Sequence, residues 1–380
     1  MPINTQQLTE VAEQTRLIYE NAETRIVEAI SRRAARGLNQ SSWQAQKLAE
    51  LRDVQEDVQG ILADLRSERG TLASAAVSGA YANSAEQCRK DIEAVEGASR
   101  YMRSGPSAVK PAQILGELNR SVDALDRQIL RRAQDAYATV IGTASATLAT
   151  GAIDLRQAVN DALEDFAKRG IAGFVDAAGR CWEMSTYAEM ATLTAIERAT
   201  RYGYVDTMQE YGHDLAIISS HAGACPLCVD WENVVVSVSG TNPDYPSLDD
   251  AEASGCFHPR CLHDISTYYG DLDGRKDIAR SEPGHSETPS AAYTARSKQR
   301  AYERQIRAWK RVESACKAAG NPQRERAAYN HVRMFQAKIR DLRSAYNANT
   351  PRSTDWLPRK YDREGGRLTL SKAALKANTK

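Results

Sequence analysis

From Leu8 onward, residues that a helix can bury return at alternating steps of three and four: Leu8, Val11, Thr15, Ile18, Ala22, Ile26 and Ala29. That spacing holds one seam on one face of an α-helix, whereas a strand would need a repeat of two. The seam stops at Gly37 and Asn39, and Ser41 or Ser42 can cap a new helix. It resumes at Leu48, Leu51, Val54, Val58, Ile61 and Leu65. Two such helices joined by a short turn predict an antiparallel hairpin. A third helix is expected from about Thr71 to Ala94.

The segment SRYMRSGPSAVKP (99–111) carries a Gly-Pro and a second Pro, which marks a boundary. Helical character returns from Ala112 to Arg169 and again from Thr186 to Tyr211. Within the first of these, the uncharged run Ala136–Ile153 nearly has the length of a membrane span, but it is rich in Thr, Ser, Gly and Ala. A buried helix packed through small residues is expected there, with no membrane contact. After Gly212 the pattern changes. DLAIISS (214–220), NVVVSVSG (233–240) and HDISTYY (263–269) are short runs with β-branched residues, read as three strands. TNPDYPSLDDAEASG, before the last of them, reads as a turn-rich loop.

The carboxyl third is helical again. Tyr302, Ile306, Trp309 and Val312 mark one face, Tyr329, Val332, Phe335 and Ile339 another, with Gly320-Asn321-Pro322 between them. LPRKYDREGGRLTLSKAALKANTK reads as an extended tail. The expected fold is mostly α with a small β module (α+β). It comprises an N-terminal helical bundle of hairpins over 1–98 and a core domain over 112–290, whose sheet lies at about 213–270. A basic helical hairpin and tail follow over 291–380.

Charge is partitioned along the chain. Residues 291–380 carry a net +15 and the rest −14, although the whole is only +1. Such a basic arm is expected to meet a negative surface, either an acidic protein face or nucleic acid. The mean hydropathy of −0.54 fits a soluble chain. The amino terminus lacks the basic and apolar regions of a secretory signal. With seven cysteines, an odd number, a disulfide framework is not expected.

Four of those cysteines and three of the six histidines fall between 221 and 263. Cys225-x2-Cys228 follows the first strand, and His258-x2-Cys261 precedes the third. Two close pairs of thiolate and imidazole donors suit tetrahedral zinc, and one ion can tie two loop ends together where little core is available. Cys225, Cys228, His258 and Cys261 are therefore the expected ligands of a structural Zn2+, with His221 and Cys256 as reserve donors. A Cys225–Cys228 redox couple is disfavoured because no helix follows directly. Cys88, Cys181 and Cys316 read as small buried apolar residues.

These residues also carry a resemblance. Tyr187–Met190 (YAEM), Ser219–Ala224 (SSHAGA), Trp231, Ser239-Gly240, YPSL and His258–His263 occur in an order similar to that of phage minor capsid protein 2 and of the wider Mu F-like head morphogenesis family. YTARSKQRAYERQIRAWKR and LPRKYDREGG resemble that family's closing segments. The likeness covers about 110–370. The chain departs from it with Cys225-Pro226-Leu227-Cys228, where many members have Arg-Pro-x-His, and with Cys261-Leu262-His263 in place of Cys-Arg-His.

The resemblance implies a structural minor capsid protein of a tailed bacteriophage. Such a protein would be made in the host cytoplasm and built into the virion at the portal vertex, acting in head morphogenesis or genome delivery. Portal and capsid proteins are the implied partners, with packaged DNA as a second candidate for the basic arm. The competing readings are an HNH-like zinc nuclease and an ADP-ribosyltransferase-like effector. The chain lacks the adjacent His pair of the first and a recognisable Arg, Ser-Thr-Ser and Glu set for the second. No catalytic residues are assigned, and an enzymatic role is not expected.

Overall fold

The computed structural model describes residues 5–97, 109–171, 174–175, 179, 181–220, 224–259, 261, 263–270, 279–282 and 291–349. The expected tail and the Gly-Pro of the boundary at 99–111 lie outside them.

The chain is mostly helical, as the seams predict. Helix α1 spans Thr5–Ala34, α2 is the short Trp43–Ala49, and α3 runs unbroken from Leu51 to Glu96. The two helices expected over 48–94 are thus largely one. At 46 residues it is about 69 Å long. A lone mid-helix glycine such as Gly70 costs about 1 kcal/mol. The seam through Leu65, Arg69, Ala73, Val77 and Cys88 stays buried on both sides of it, and that packing outweighs the cost.

Helix α4 spans Val109–Ala149 and α5 spans Leu155–Arg169. Gly151 turns the chain between them with a φ of +69°. Asp154 caps α5 by accepting a hydrogen bond from the Gln157 N–H at 2.8 Å. The uncharged run at 136–153 is not the fully buried helix expected. Tyr137, Val140, Ile141 and Ala144 are buried, while Gly142, Thr143 and Ala146 face water. One buried face is enough to hold it, and the small residues supply the solvent side. No helix among the described residues is long and apolar enough to cross a membrane.

A two-residue hairpin, β1 (Phe174–Val175) with β2 (Cys181–Trp182), leads into α6 (Met184–Glu210). The three expected strands follow as β3 (Leu215–Ile218), β4 (Val235–Ser237) and β5 (Ile265–Thr267). They form one antiparallel sheet with β3 in the centre. The expected loop before β5 contains a helical turn and a half, α7 (Leu248–Ala253), started by a Ser247–Asp250 capping box. Helices α8 (Ala291–Ala318) and α9 (Pro322–Ala348) make the expected C-terminal hairpin, with Asn321 capping α9.

The segments expected to be separate meet in one core. Tyr19, Ile26 and Ile30 of α1 pack in the same cluster as Leu62 of α3, Tyr137 of α4, Phe166 of α5 and Ile306, Trp309 and Val312 of α8. A polar contact locks the same junction. Arg311 reaches the buried Glu23 carboxylate at 3.3 Å and donates to the carbonyls of Ala167 and Lys168. The ends of α3 and α6 then carry a second core, in which Cys88, Ile92, Tyr204 and Met208 pack under the sheet.

Helices α3 and α6 pack closely at Gly203, where a Cβ would run into the Tyr81 carbonyl. Replacing Gly203 with Ala is expected to cost about 1–3 kcal/mol through forced separation of the helices. Gly70→Ala meets open space and should stabilise by about 0.5–1 kcal/mol. Denaturant unfolding of the two variants checks both signs, and a neutral Gly203→Ala would refute the close-approach argument.

Candidate metal centre

Strand register brings the two expected ligand pairs together. Ile218 at the end of β3 pairs with Ile265 at the start of β5. Beyond that pair, Ser219 N–H donates to the Asp264 carbonyl and Asp264 N–H to Ser219 Oγ, each at 2.8 Å. The loop leaving β3 and the loop entering β5 therefore lie side by side.

In the first loop the Cys225 carbonyl accepts from the N–H groups of Cys228 and Val229 at 3.1 and 3.0 Å. This tight turn directs both thiols to one side and runs into a 3-10 turn at Val229–Trp231. In the second loop Cys261 N–H donates to the His258 carbonyl at 2.9 Å. Phe257 supports the bend with a φ of +58°.

The donors meet in two groups. Cys225, Cys228 and His258 have ligand atoms within 4.8 Å of one another, and so do Cys228, Cys261 and His263. Cys228 belongs to both. The separation of Cys228 Sγ and Cys261 Sγ is 3.7 Å, close to the edge of about 3.8 Å for a tetrahedron with Zn–S bonds of about 2.3 Å. Cys225 Sγ lies 2.9 Å from His258 Nε2, and Cys261 Sγ lies 3.3 Å from His263 Nδ1.

Both rings are oriented as metal-binding imidazoles are. His258 Nδ1 is 2.9 Å from the Pro259 carbonyl, and His263 Nε2 is 3.0 Å from Glu232 Oε1. Each oxygen accepts the ring N–H, so the opposite nitrogen presents its lone pair to a sulfur. Arg280 braces the Glu232 loop by donating to the carbonyls of Asp230 and Glu232.

The thiols of Cys228 and Cys261 are held protonated when no cation is near. Cys228 is pushed up first by its hydrogen bond with Cys256, and Cys261 first by its bond with Cys228 and then by burial. For His263 burial opposes the charged ring, but Cys261 and Glu232 outweigh it and the net direction is upward. A divalent cation reverses this balance by favouring thiolate and neutral imidazole, and the soft donor set suits zinc.

The C-x2-C and H-x2-C pairs lie in the two loops that the fold sets side by side, and Cys256 and His263 flank the second pair, two residues to either side. Glu232 carried no sequence signal as a partner, since it reaches His263 only through the fold. His221 lies outside the described residues, as does the side chain of Cys181. Cys88 and Cys316 are buried as expected, and burial pushes the Cys316 thiol up to about 11.

The profile of the family described as Phage minor capsid protein 2 matches residues 3–343. A structural protein of Lactococcus phage LL-H is 27% identical over 239 residues, which is 60% of this chain and 61% of that protein. A structural protein of Lactococcus phage mv4 is 30% identical over 128 residues, 32% of this chain and 93% of that protein. The chain thus spans under two thirds of the length of the first relative. No solved structure matches.

Proposed function

Because the chain belongs to the phage minor capsid protein 2 family, we propose that it is a structural component of the virion, held at the portal vertex and acting in head morphogenesis or genome delivery. The observation that carries this reading is the family match along nearly the whole chain, supported by two phage relatives named structural proteins. In the same reading Cys225, Cys228, His258 and Cys261 hold a structural Zn2+. The ion ties the β3 and β5 loops together and supplies rigidity, with no role in turnover.

The buried chemistry favours this over the nuclease. Cys261, His263 and Glu232 stand in the order of a nucleophile, a base and an orienting acid, but the His263 side chain is 1% exposed. A phosphodiester could not reach it.

The partner surface is the outer face of α9. Arg326, Tyr329, Arg333 and Arg340 share that face and are exposed. Tyr329 is 38% and the adjoining Met334 40% exposed. Trp309, on the apolar face of α8, is seated in the core, stacked on His331 with ring centres 3.8 Å apart. A basic face with an aromatic and a methionine among its charges suits an acidic protein surface such as the portal better than DNA.

The double variant Arg326→Glu/Arg333→Glu should fold normally and yet be missing from purified virions by mass spectrometry. Normal incorporation would overturn the docking assignment. If the face met DNA, affinity would fall by roughly 10^3 between 50 and 200 mM salt for about six phosphate contacts. The same purified protein should cut no DNA with Mg2+, Mn2+ or Zn2+, and cleavage lost in His263→Ala would favour the nuclease.

A further inference from the structure

The acidic body carries a row of cations that its own carboxylates leave alone. Helix α4 has five basic and four acidic side chains. Three of the acids are already engaged: Glu117 with Arg198 at 2.6 Å, Asp123 with Arg69, and Asp126 with Arg66 and Arg69 at 3.0 Å each. Arg120, Arg127 and Arg131 are exposed, and none of them forms an ion pair among the described residues. Steps of seven and four residues keep the three on one face of the helix, over about 16 Å of its length. Asp135, one turn past Arg131, is exposed beside them, so the face keeps an excess of positive charge.

We infer that this face of α4 is a docking surface for the phosphate backbone of double-stranded DNA, separate from the face of α9. A guanidinium grips phosphate oxygens through two parallel hydrogen bonds. Each strand of a duplex presents a phosphate about every 3.4 Å along the axis, so the row is as long as about five of them. The three arginines give up no ion pair on binding, and the contact therefore starts without that cost. Gly116, toward which Arg120 lies with Nη1 3.7 Å from where a Cβ would stand, adds no bulk beside the row.

The surroundings of the row decide between partners. α4 exposes no large apolar side chain between Val109 and Leu148, whereas a protein interface depends on buried aromatic or apolar anchors. Its one aromatic ring, Tyr137, is buried. A single strand would need an exposed ring on which its bases could stack. What remains is recognition of a regular charged backbone, which carries no sequence information.

Fluorescence anisotropy of the full-length chain with labelled 20-base-pair DNA duplexes tests this. Unrelated duplexes should bind alike at 50 mM salt. Between 50 and 200 mM the wild type should lose about 40-fold more affinity than Arg120→Gln/Arg127→Gln/Arg131→Gln, the difference made by three phosphate contacts. Each single variant should remove about a third of that salt slope, which keeps the test open if the triple variant misfolds. Arg326→Glu/Arg333→Glu should bind DNA as the wild type does, so failure of the α9 docking and failure of this inference are read separately. No binding at 50 mM salt, or an unchanged salt slope in the α4 variants, would overturn the inference. Unchanged DNA binding with the triple variant missing from virions would overturn it in favour of an acidic protein on the same face.

Discussion

On the proposed zinc reading, a strong chelator should release the sheet module while the helical body stays folded. The strands of that sheet are only three or four residues long, too short to hold by their own ladder. Their core is small and gathers Trp231, Val234, Val236, Phe257 and Ile265 against the ends of α3 and α6. Binding free energies of structural zinc sites are about 10–16 kcal/mol at neutral pH and count as folding free energy. Loss of that contribution exceeds what so small a core can offset.

Hydrogen exchange is the suitable readout. Amides of 215–218, 235–237 and 265–267 should lose protection on chelation, whereas those of α1, α4 and α8 should keep it. Cys228→Ser should reproduce the effect without chelator, since that sulfur serves both donor groups. Unchanged protection in metal-free protein would show that packing alone holds the loops.

Arg311→Ala should be among the most damaging single substitutions outside the candidate metal centre, costing about 3–5 kcal/mol. Arg311 and Glu23 are both buried, and the arginine also satisfies two carbonyls at the end of α5. Its loss leaves the Glu23 carboxylate without its buried countercharge. Replacing both partners with apolar residues, as in Glu23→Leu/Arg311→Met, should cost much less, so a double-mutant cycle in denaturant should show strong coupling.

The pH dependence has a definite sign. Burial, followed by weaker opposing attraction from Arg311, holds Glu23 above the ordinary carboxylate range. A carboxyl raised in the folded state favours folding as it takes up its proton. The Arg311→Ala penalty should therefore shrink as pH falls through the raised value toward the ordinary range. A penalty that grows on acidification would contradict this account.

Much of the fold could be read from local spacing. The three- and four-residue seam of α1, the β-branched runs that became β3, β4 and β5, and the Gly320–Pro322 break are written over a few residues each. Local sterics and burial periodicity determine such features wherever they occur. Spacing likewise singled out Cys225, Cys228, His258 and Cys261, because a knuckle turn brings ligands three residues apart to one side.

Other features depended on contacts between distant residues. α3 passes through Gly70 because its buried seam continues beyond it, an energetic balance that no short window contains. The apolar face through Trp309 was legible, but its place against Lys168 and His331 came from docking α8 on α5 and pairing it with α9. Glu23 meets Arg311 across 288 residues. The division of the cysteines and histidines into two groups that share Cys228, with Glu232 behind His263, was set by the Ile218–Ile265 register. Periodicity tells which face of an element is buried, and only the packed chain decides what that face is buried against.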